Sequence, residues 1–389
     1  MNDGRTVGLL YGHPLDVGGV ESHILSLMSR SDRARWRWRV VAPTSPSFSA
    51  RAAEAGADVE HWAPRHALDA SALRALVRAA RARPFDLFHV HDPRALPIAQ
   101  AAASYLRIPL VYTVHLPIAA EEGNNGGGPS PRRRLQGAAE RLLLRLAPHS
   151  RIVHVSARAL ARAASRSNGN LVHVPNGVDL GRAATPGARA RVRAALGVSA
   201  DACVVASVAR LVPQKGLDLL LEAWAQATLG GASTHLWLAG EGPERKALEA
   251  RVARLGIGGS VALLGRREDV PDLLAATDVF VLASREETTP IALLEAMAAG
   301  RACVATDVGD CRAMLVDGTA GRIVAPGDVG GLATAIREVI GDGDLRDRLG
   351  NAARERAQLF SDLSMAARTA AVYETALASG QARAATAFG

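Results

Sequence analysis

Cysteine, lysine and aromatic residues are scarce in this chain of 389 residues. Each scarcity removes a class of protein. The three cysteines, Cys203, Cys303 and Cys311, are odd in number and widely spaced. They do not make a disulfide framework, and no Cys/His grouping has zinc spacing; free thiols in a reducing compartment are expected, and no metal or other cofactor. Aromatic residues make up 4% of the chain. That is too few for base-stacking platforms, and no nucleic-acid motif occurs, so nucleic acid is not an expected partner. No run of about 18 apolar residues is present, which argues against a transmembrane helix. The opening MNDGRTVGLLYG lacks the charged start, long apolar centre and cleavage site of a signal peptide. A cytoplasmic location is expected. There are two lysines, Lys215 and Lys246, against 44 arginines, so the place of Lys215 is informative.

What is present describes a soluble α/β protein, with 48% hydrophobic residues and a length that calls for two domains. The net charge of +8 is lopsided. Residues 1–182 carry 24 basic and 14 acidic side chains, net +10, whereas the remainder is net −2. An excess confined to one half favours anionic partners, among them a phosphorylated acceptor or an anionic membrane surface.

Short apolar runs alternate with helical periodicity along the chain. In the first half the expected strands are Thr6 to Tyr11, Trp38 to Ala42, Asp58 to His61, Phe85 to His91, Leu110 to His115, Ile152 to Ser156 and Leu171 to Pro175. Helices are expected over Ser22 to Arg30, Ser71 to Ala82 and Leu96 to Leu106. This order implies parallel sheets covered by helices, with ligands at the C-terminal strand ends. His13, His91 and His115 stand at such ends. Between Tyr11 and the first helix lies a turn with Gly18-Gly19-Val20-Glu21, where glycines permit close backbone approach to a phosphate. Residues 121–134 are glycine-rich and then basic, as in a mobile acceptor-side loop that includes Arg132 and Arg133. The following helix, with Leu135, Leu142 and Leu146 on one face and arginines off it, suits either packing on a sheet or lying on an anionic bilayer.

The second half centres on VFVLASREETTPIALLEAMAAGRACVATD, Val279 to Asp307. Val279 to Ala283 reads as a strand buried on both faces and Cys303 to Thr306 as the next. A helix between them is expected to start with Thr289 as N-cap and Pro290 at the first helical position. Within it, Ile291 to Ala299 is apolar or small except for Glu295, a carboxylate that needs a partner in such company. Helical side chains lean toward the N-terminus, so Glu295 points back toward Glu287. Two acceptors beside a helix N-terminus suit a ligand with hydroxyls and an anionic group, such as a nucleotide sugar. Upstream, ASVARLVPQKGLDLLLEAW places Arg210 and Lys215 five residues apart between a strand and a helix.

Glu287-x7-Glu295 running into LLEAMAAG, together with Gly-Gly-Val-Glu, VPNGVDL and Arg210 with Lys215, resembles glycosyltransferase family 4 over nearly the whole chain. The resemblance implies a GT-B fold, two Rossmann-like parallel-sheet α/β domains facing a central cleft. The first would span 1–180 and the second 181–359, with a last helix, about 360–378, returning to the first. It implies retaining transfer of a hexose-type sugar from a nucleoside-diphosphate sugar to a hydroxyl acceptor without metal. No Asp-x-Asp triplet stands in a donor-side loop, in keeping with that. On this resemblance Arg210 and Lys215 clamp the diphosphate, Glu287 takes sugar hydroxyls, Glu295 takes the ribose, and His115 lies near the reacting carbon. Gly18 and Gly19 approach the phosphates. Gly240, Gly242 and Arg266 border the base, and Thr288, Thr289, Pro290 and Ile291 complete the donor loop. Many relatives have glycine where this chain has Thr288. The acceptor side would include His13, His91, Asn176, Arg132 and Arg133. An epimerase acting on a nucleotide sugar, or a binding protein that turns nothing over, are the rival readings. Peripheral contact with the inner face of a membrane would run through the basic first half.

Overall fold

The computed structural model describes residues 4–15, 18–115, 150–164, 170–228 and 233–386. The expected loop at 121–134, its Arg132 and Arg133, and the basic helix after it lie outside the described residues. The chain divides into two compact units, Met1–Gly177 with Asp362–Gly389, and Val178–Ser361. Both crossings fall at one place: the Val178 amide donates to the Phe360 carbonyl at 2.8 Å, and Val178 bridges Ser361 in parallel fashion. The last helix, Asp362–Thr386, thus belongs to the first unit.

The first unit holds a seven-stranded sheet of β1 (Arg5–Leu10), β2 (Trp36–Ala42), β3 (Ala57–His61), β4 (Leu87–Val90), β5 (Leu110–Val114), β6 (Arg151–His154) and β7 (Leu171–His173). Its order is β3-β2-β1-β4-β5-β6-β7, and every pairing is parallel. β4 and β5 are buried at every position, as strands covered on both faces should be, with the polar His89 and Thr113 among them bonded to each other. On one face Trp36, Trp38, Met28 and Leu27 pack with Met365, Val372 and Tyr373 of the last helix. Each such side chain contributes about 1.5–3 kcal/mol on leaving water. The first helix begins at Gly19, not Ser22, because Gly19 already takes the helical turn while Gly18 flanks it in an extended conformation.

The second unit repeats the plan with β8 (Cys203–Val208), β9 (Thr234–Ala239), β10 (Val261–Gly265), β11 (Val279–Leu282), β12 (Ala302–Thr306) and β13 (Arg322–Val324). The order is β10-β9-β8-β11-β12-β13, again all parallel. In both sheets the strand order reverses beside the first strand, between β1 and β4 and between β8 and β11. Loops leaving two such strands diverge to opposite faces and open a crevice at the sheet's C-terminal edge, where ligands of doubly wound folds bind. The helix after β11 starts at Ile291, one residue later than expected. Pro290 takes the flanking position, its ψ of 117° extended rather than helical, and Thr289 is not the cap.

Candidate functional site

At the reversal point of the second sheet, two loops are pinned together. After β8 the chain turns through Pro213–Lys215 and Gly216 into the helix Leu217–Ala227. After β11 it runs through Ser284 to Pro290. Gly216 has φ +60°, and a Cβ there would lie 2.1 Å from the Ala283 carbonyl oxygen, so only glycine lets the loops meet. Arg285 fastens them: its amide donates to the Gln214 carbonyl at 2.8 Å, its guanidinium to the Pro213 carbonyl at 2.7 Å, and both terminal nitrogens to Asp218 at 2.7 and 2.6 Å. The Asp218 hydrogen bonds and charge outweigh burial and raise the guanidinium pKa further. Arg285 escaped the sequence reading. Its signal, an arginine amid acids after a buried strand, does not name its partner 67 residues away.

This fastening sets Lys215 against Glu287, Nζ to Oε1, at 2.5 Å. The Ser284 hydroxyl donates to the same carboxylate oxygen at 2.8 Å. Glu287 is nearly covered, its side chain 9% exposed. Its loop is held from the other side by Gly309, whose φ is +52° and whose added Cβ would sit 2.1 Å from the Thr288 carbonyl oxygen. The Asp310 amide donates to that carbonyl at 2.8 Å. Thr288 and Thr289 are buried, as is Pro290, and Ile291 is partly covered. Arg210 contrasts with them: its side chain is exposed and makes no hydrogen bond or ion pair with any described residue. The turn after β9 lies against it, because the Leu211 amide donates to the Glu241 carbonyl and the Ala209 amide to Ala239. Gly240 and Gly242 pack on the Ala209 and Leu211 carbonyls so closely that neither could carry a Cβ. Arg266, past the edge strand β10, pairs with Glu268 at 2.9 Å on the surface.

Glu295 keeps a quarter of its side chain exposed and has Arg182 at 3.9 Å, a loose ion pair. Burial raises its carboxyl pKa, and Arg182 only partly opposes this. The expected partner for a carboxylate in apolar company is therefore present but distant.

In the first unit the strand ends carry imidazoles. His91 follows β4 and His115 follows β5, with His91 Nδ1 and His115 Nε2 2.9 Å apart. His23 crosses His115 edge-on at 4.7 Å between ring centroids. Its Nδ1 is 3.0 Å from Asn176 Oδ1, just before the crossing to the second unit. His89 is spoken for: Nδ1 meets the Tyr373 hydroxyl and Nε2 the Thr113 hydroxyl, each at 2.7 Å. Burial, and then neighbouring imidazoles, hold His89, His91 and His115 well below the usual histidine range. Asp92 caps the loop after β1 by accepting from the Gly12, Arg94 and Ala95 amides. His13 stays partly exposed beside Tyr11. Gly18 precedes the first helix, where a Cβ would meet the Glu21 carboxylate at 2.6 Å, while Gly19 faces open space. A carboxylate therefore already attends the helix N-terminus that Gly18 and Gly19 were expected to offer to a phosphate.

The cysteines are as bland as expected. Cys303 and Cys311 are buried and Cys203 is partly covered; burial pushes the Cys303 thiol up to about 12 and that of Cys203 to about 11. Among the described residues, no helix is long and apolar enough to cross a membrane.

Residues 189–356 match the family model described as glycosyl transferases group 1, and residues 17–182 match that of glycosyltransferase family 4. D-inositol 3-phosphate glycosyltransferase of Geodermatophilus obscurus is 33% identical over 322 residues, 77% of this chain and 69% of that one. Phosphatidyl-myo-inositol mannosyltransferase of Mycolicibacterium smegmatis is 27% identical over 389 residues, 96% of this chain and 95% of its own. The crystal structure of Anabaena Alr3699/HepE in complex with UDP and glucose superposes with a TM-score of 0.81 at 24% identity, covering 95% of this chain and all of the other.

Proposed function

The chain belongs to glycosyltransferase family 4, with the GT-B fold, and from that premise we propose that it is a retaining transferase. It moves a hexose-type sugar from a nucleoside diphosphate to a hydroxyl acceptor. The observation that carries this reading is that the loop after β8 bears both an exposed Arg210, bonded to no described residue, and the Lys215 of the Lys215–Glu287–Ser284 cluster, at the reversal point of the second sheet.

The donor's diphosphate accepts hydrogen bonds from the Arg210 guanidinium and from Lys215, which exchanges Glu287 for phosphate. Glu287, still held by Ser284, then accepts from sugar hydroxyls, and Glu295 from the ribose. The bond between the anomeric carbon and the phosphate oxygen breaks while the acceptor oxygen bonds to the same face of that carbon, and the acceptor's proton passes to the leaving phosphate. The growing negative charge is met by two fixed cations, the task a metal performs elsewhere, so the transfer needs none. On the family resemblance, the role of acting on the reacting carbon falls to His115 of the first unit. The relatives' names support a phosphorylated or lipid-linked acceptor, which suits the positive charge of residues 1–182.

The test is incubation of the purified protein with UDP-hexoses and a panel of inositol phosphates and phosphatidylinositol vesicles, followed by mass spectrometry. A product heavier by one hexose, with nucleotide released only when acceptor is present, is expected. Isomerised donor formed without acceptor would mark an epimerase instead. Sedimentation with anionic and neutral liposomes reads the peripheral membrane contact; equal absence from both pellets rejects it.

A further inference from the structure

Three imidazoles of the first unit meet at the C-terminal edge of its sheet. One ring nitrogen each from His23, His91 and His115 lies within 4.8 Å of the other two. The ring centroids are 4.7 Å (His23–His115), 5.2 Å (His91–His115) and 5.6 Å (His23–His91) apart. Three imidazoles sharing one tetrahedral ion at about 2.0–2.1 Å per bond have centroids roughly 5 Å apart. The triad already has that spacing. The His91–His115 contact of 2.9 Å is a shared proton; an ion displaces it once small ring rotations open that gap to roughly 3.3 Å.

The hydrogen bonding around the triad fixes what it offers. Asn176 Oδ1 can only accept, so His23 Nδ1 carries the proton and Nε2 the lone pair. That Nε2 is buried with no partner. A polar group left so in the interior costs about 1–3 kcal/mol. An outer partner that orients a histidine through its second nitrogen is the usual companion of a metal ligand. His89 is excluded from the set because Tyr373 and Thr113 use both its nitrogens. His23 and His91 are buried and His115 is largely covered. Sequence spacing was silent because the ligands come from a helix and two strand ends.

We propose that His23, His91 and His115 form a three-histidine site for a borderline divalent transition metal of the zinc type, with a fourth position open to water or a ligand oxygen. Occupancy takes His115 out of the role given to it above and slows transfer. That consequence rests on the proposed function, while the site itself does not.

The experiment titrates the full-length, chelator-treated protein with Co2+ alone and reads the visible absorption of four-coordinate cobalt, then displaces it with Zn2+. One equivalent of tetrahedral cobalt is expected. His23→Gln and His91→Gln, each removing a direct ligand, should weaken its binding by more than the roughly 10–100-fold that loss of an outer partner costs, with unchanged circular dichroism, whereas the exposed His66→Gln should leave it unchanged. No tetrahedral band in the wild-type protein, a measurement that needs no variant to fold, overturns the site, as does a band that survives both substitutions. A cobalt band without slowed transfer upholds the site and counts against the role of His115. Slowed transfer without a band counts against the site.

Discussion

Lys215 and Glu287 are held 2.5 Å apart by two loops that leave neighbouring strands of the second sheet. In a nucleotide-sugar site this pair is a resting state: each partner screens the other until phosphate and hydroxyl replace them. Lys215→Ala and Glu287→Ala should each lower kcat/KM about 100-fold or more, close to 3 kcal/mol. Because each loss leaves the other charge stranded, the double variant should cost well below the sum. Steady-state kinetics on all four proteins checks this; additive losses would show that the two residues act apart.

Arg285 is predicted to matter as much for geometry as for stability. Arg285→Lys keeps the charge but loses the fork on Asp218 and the bond to the Pro213 carbonyl. A loss of about 1–2 kcal/mol in urea denaturation is expected, with a severalfold rise in the donor KM as the Lys215 turn loosens.

Gly309→Ala tests the other side of the Glu287 loop. A methyl group 2.1 Å from the Thr288 carbonyl oxygen and 2.7 Å from that of Glu287, on a backbone at φ +52°, forces the loop to move. The expected cost is about 2 kcal/mol or more, with donor affinity falling alongside. Calorimetric titration with donor and chemical denaturation measure the two effects, and unchanged affinity would separate this loop from the site.

His154 gives a pH dependence with a defined sign. Burial, and then His173, lower its pKa to about 4, against about 6.5 in an unfolded chain. The folded state binds the proton less well, so stability is full above about pH 6.5 and falls with acidification toward pH 4, by at most about 3 kcal/mol. His154→Gln should flatten the slope of unfolding free energy in that window. An unchanged slope would place the acid sensitivity elsewhere.

Strands were easy to read because buried parallel strands are short apolar runs; the expected Val279 to Ala283 came out as Val279–Leu282. Ends were harder. Phe85 to His91 shrank to Leu87–Val90, and Pro290 displaced Thr289 at the helix start. The residues proposed for the donor side stand out in the sequence because Arg210 with Lys215 and Glu287 with Glu295 sit close together in the chain at strand-to-helix turns. Contacts across distance were not. Nothing in the sequence pairs Arg285 with Asp218, Asn176 with His23 or Tyr373 with His89, since strand order decides those neighbours and a parallel pattern does not state its order.

The most direct test of the central claim is calorimetric titration of UDP into the wild-type protein and into Arg210→Ala. Arg210 is exposed and bonded to no described residue, so its removal should leave the fold intact. The account predicts that UDP binds to the wild type and binds at least about tenfold more weakly to the variant, close to 1.4 kcal/mol. Equal affinity in the two proteins would mean that the diphosphate is not gripped where the second sheet reverses its strand order.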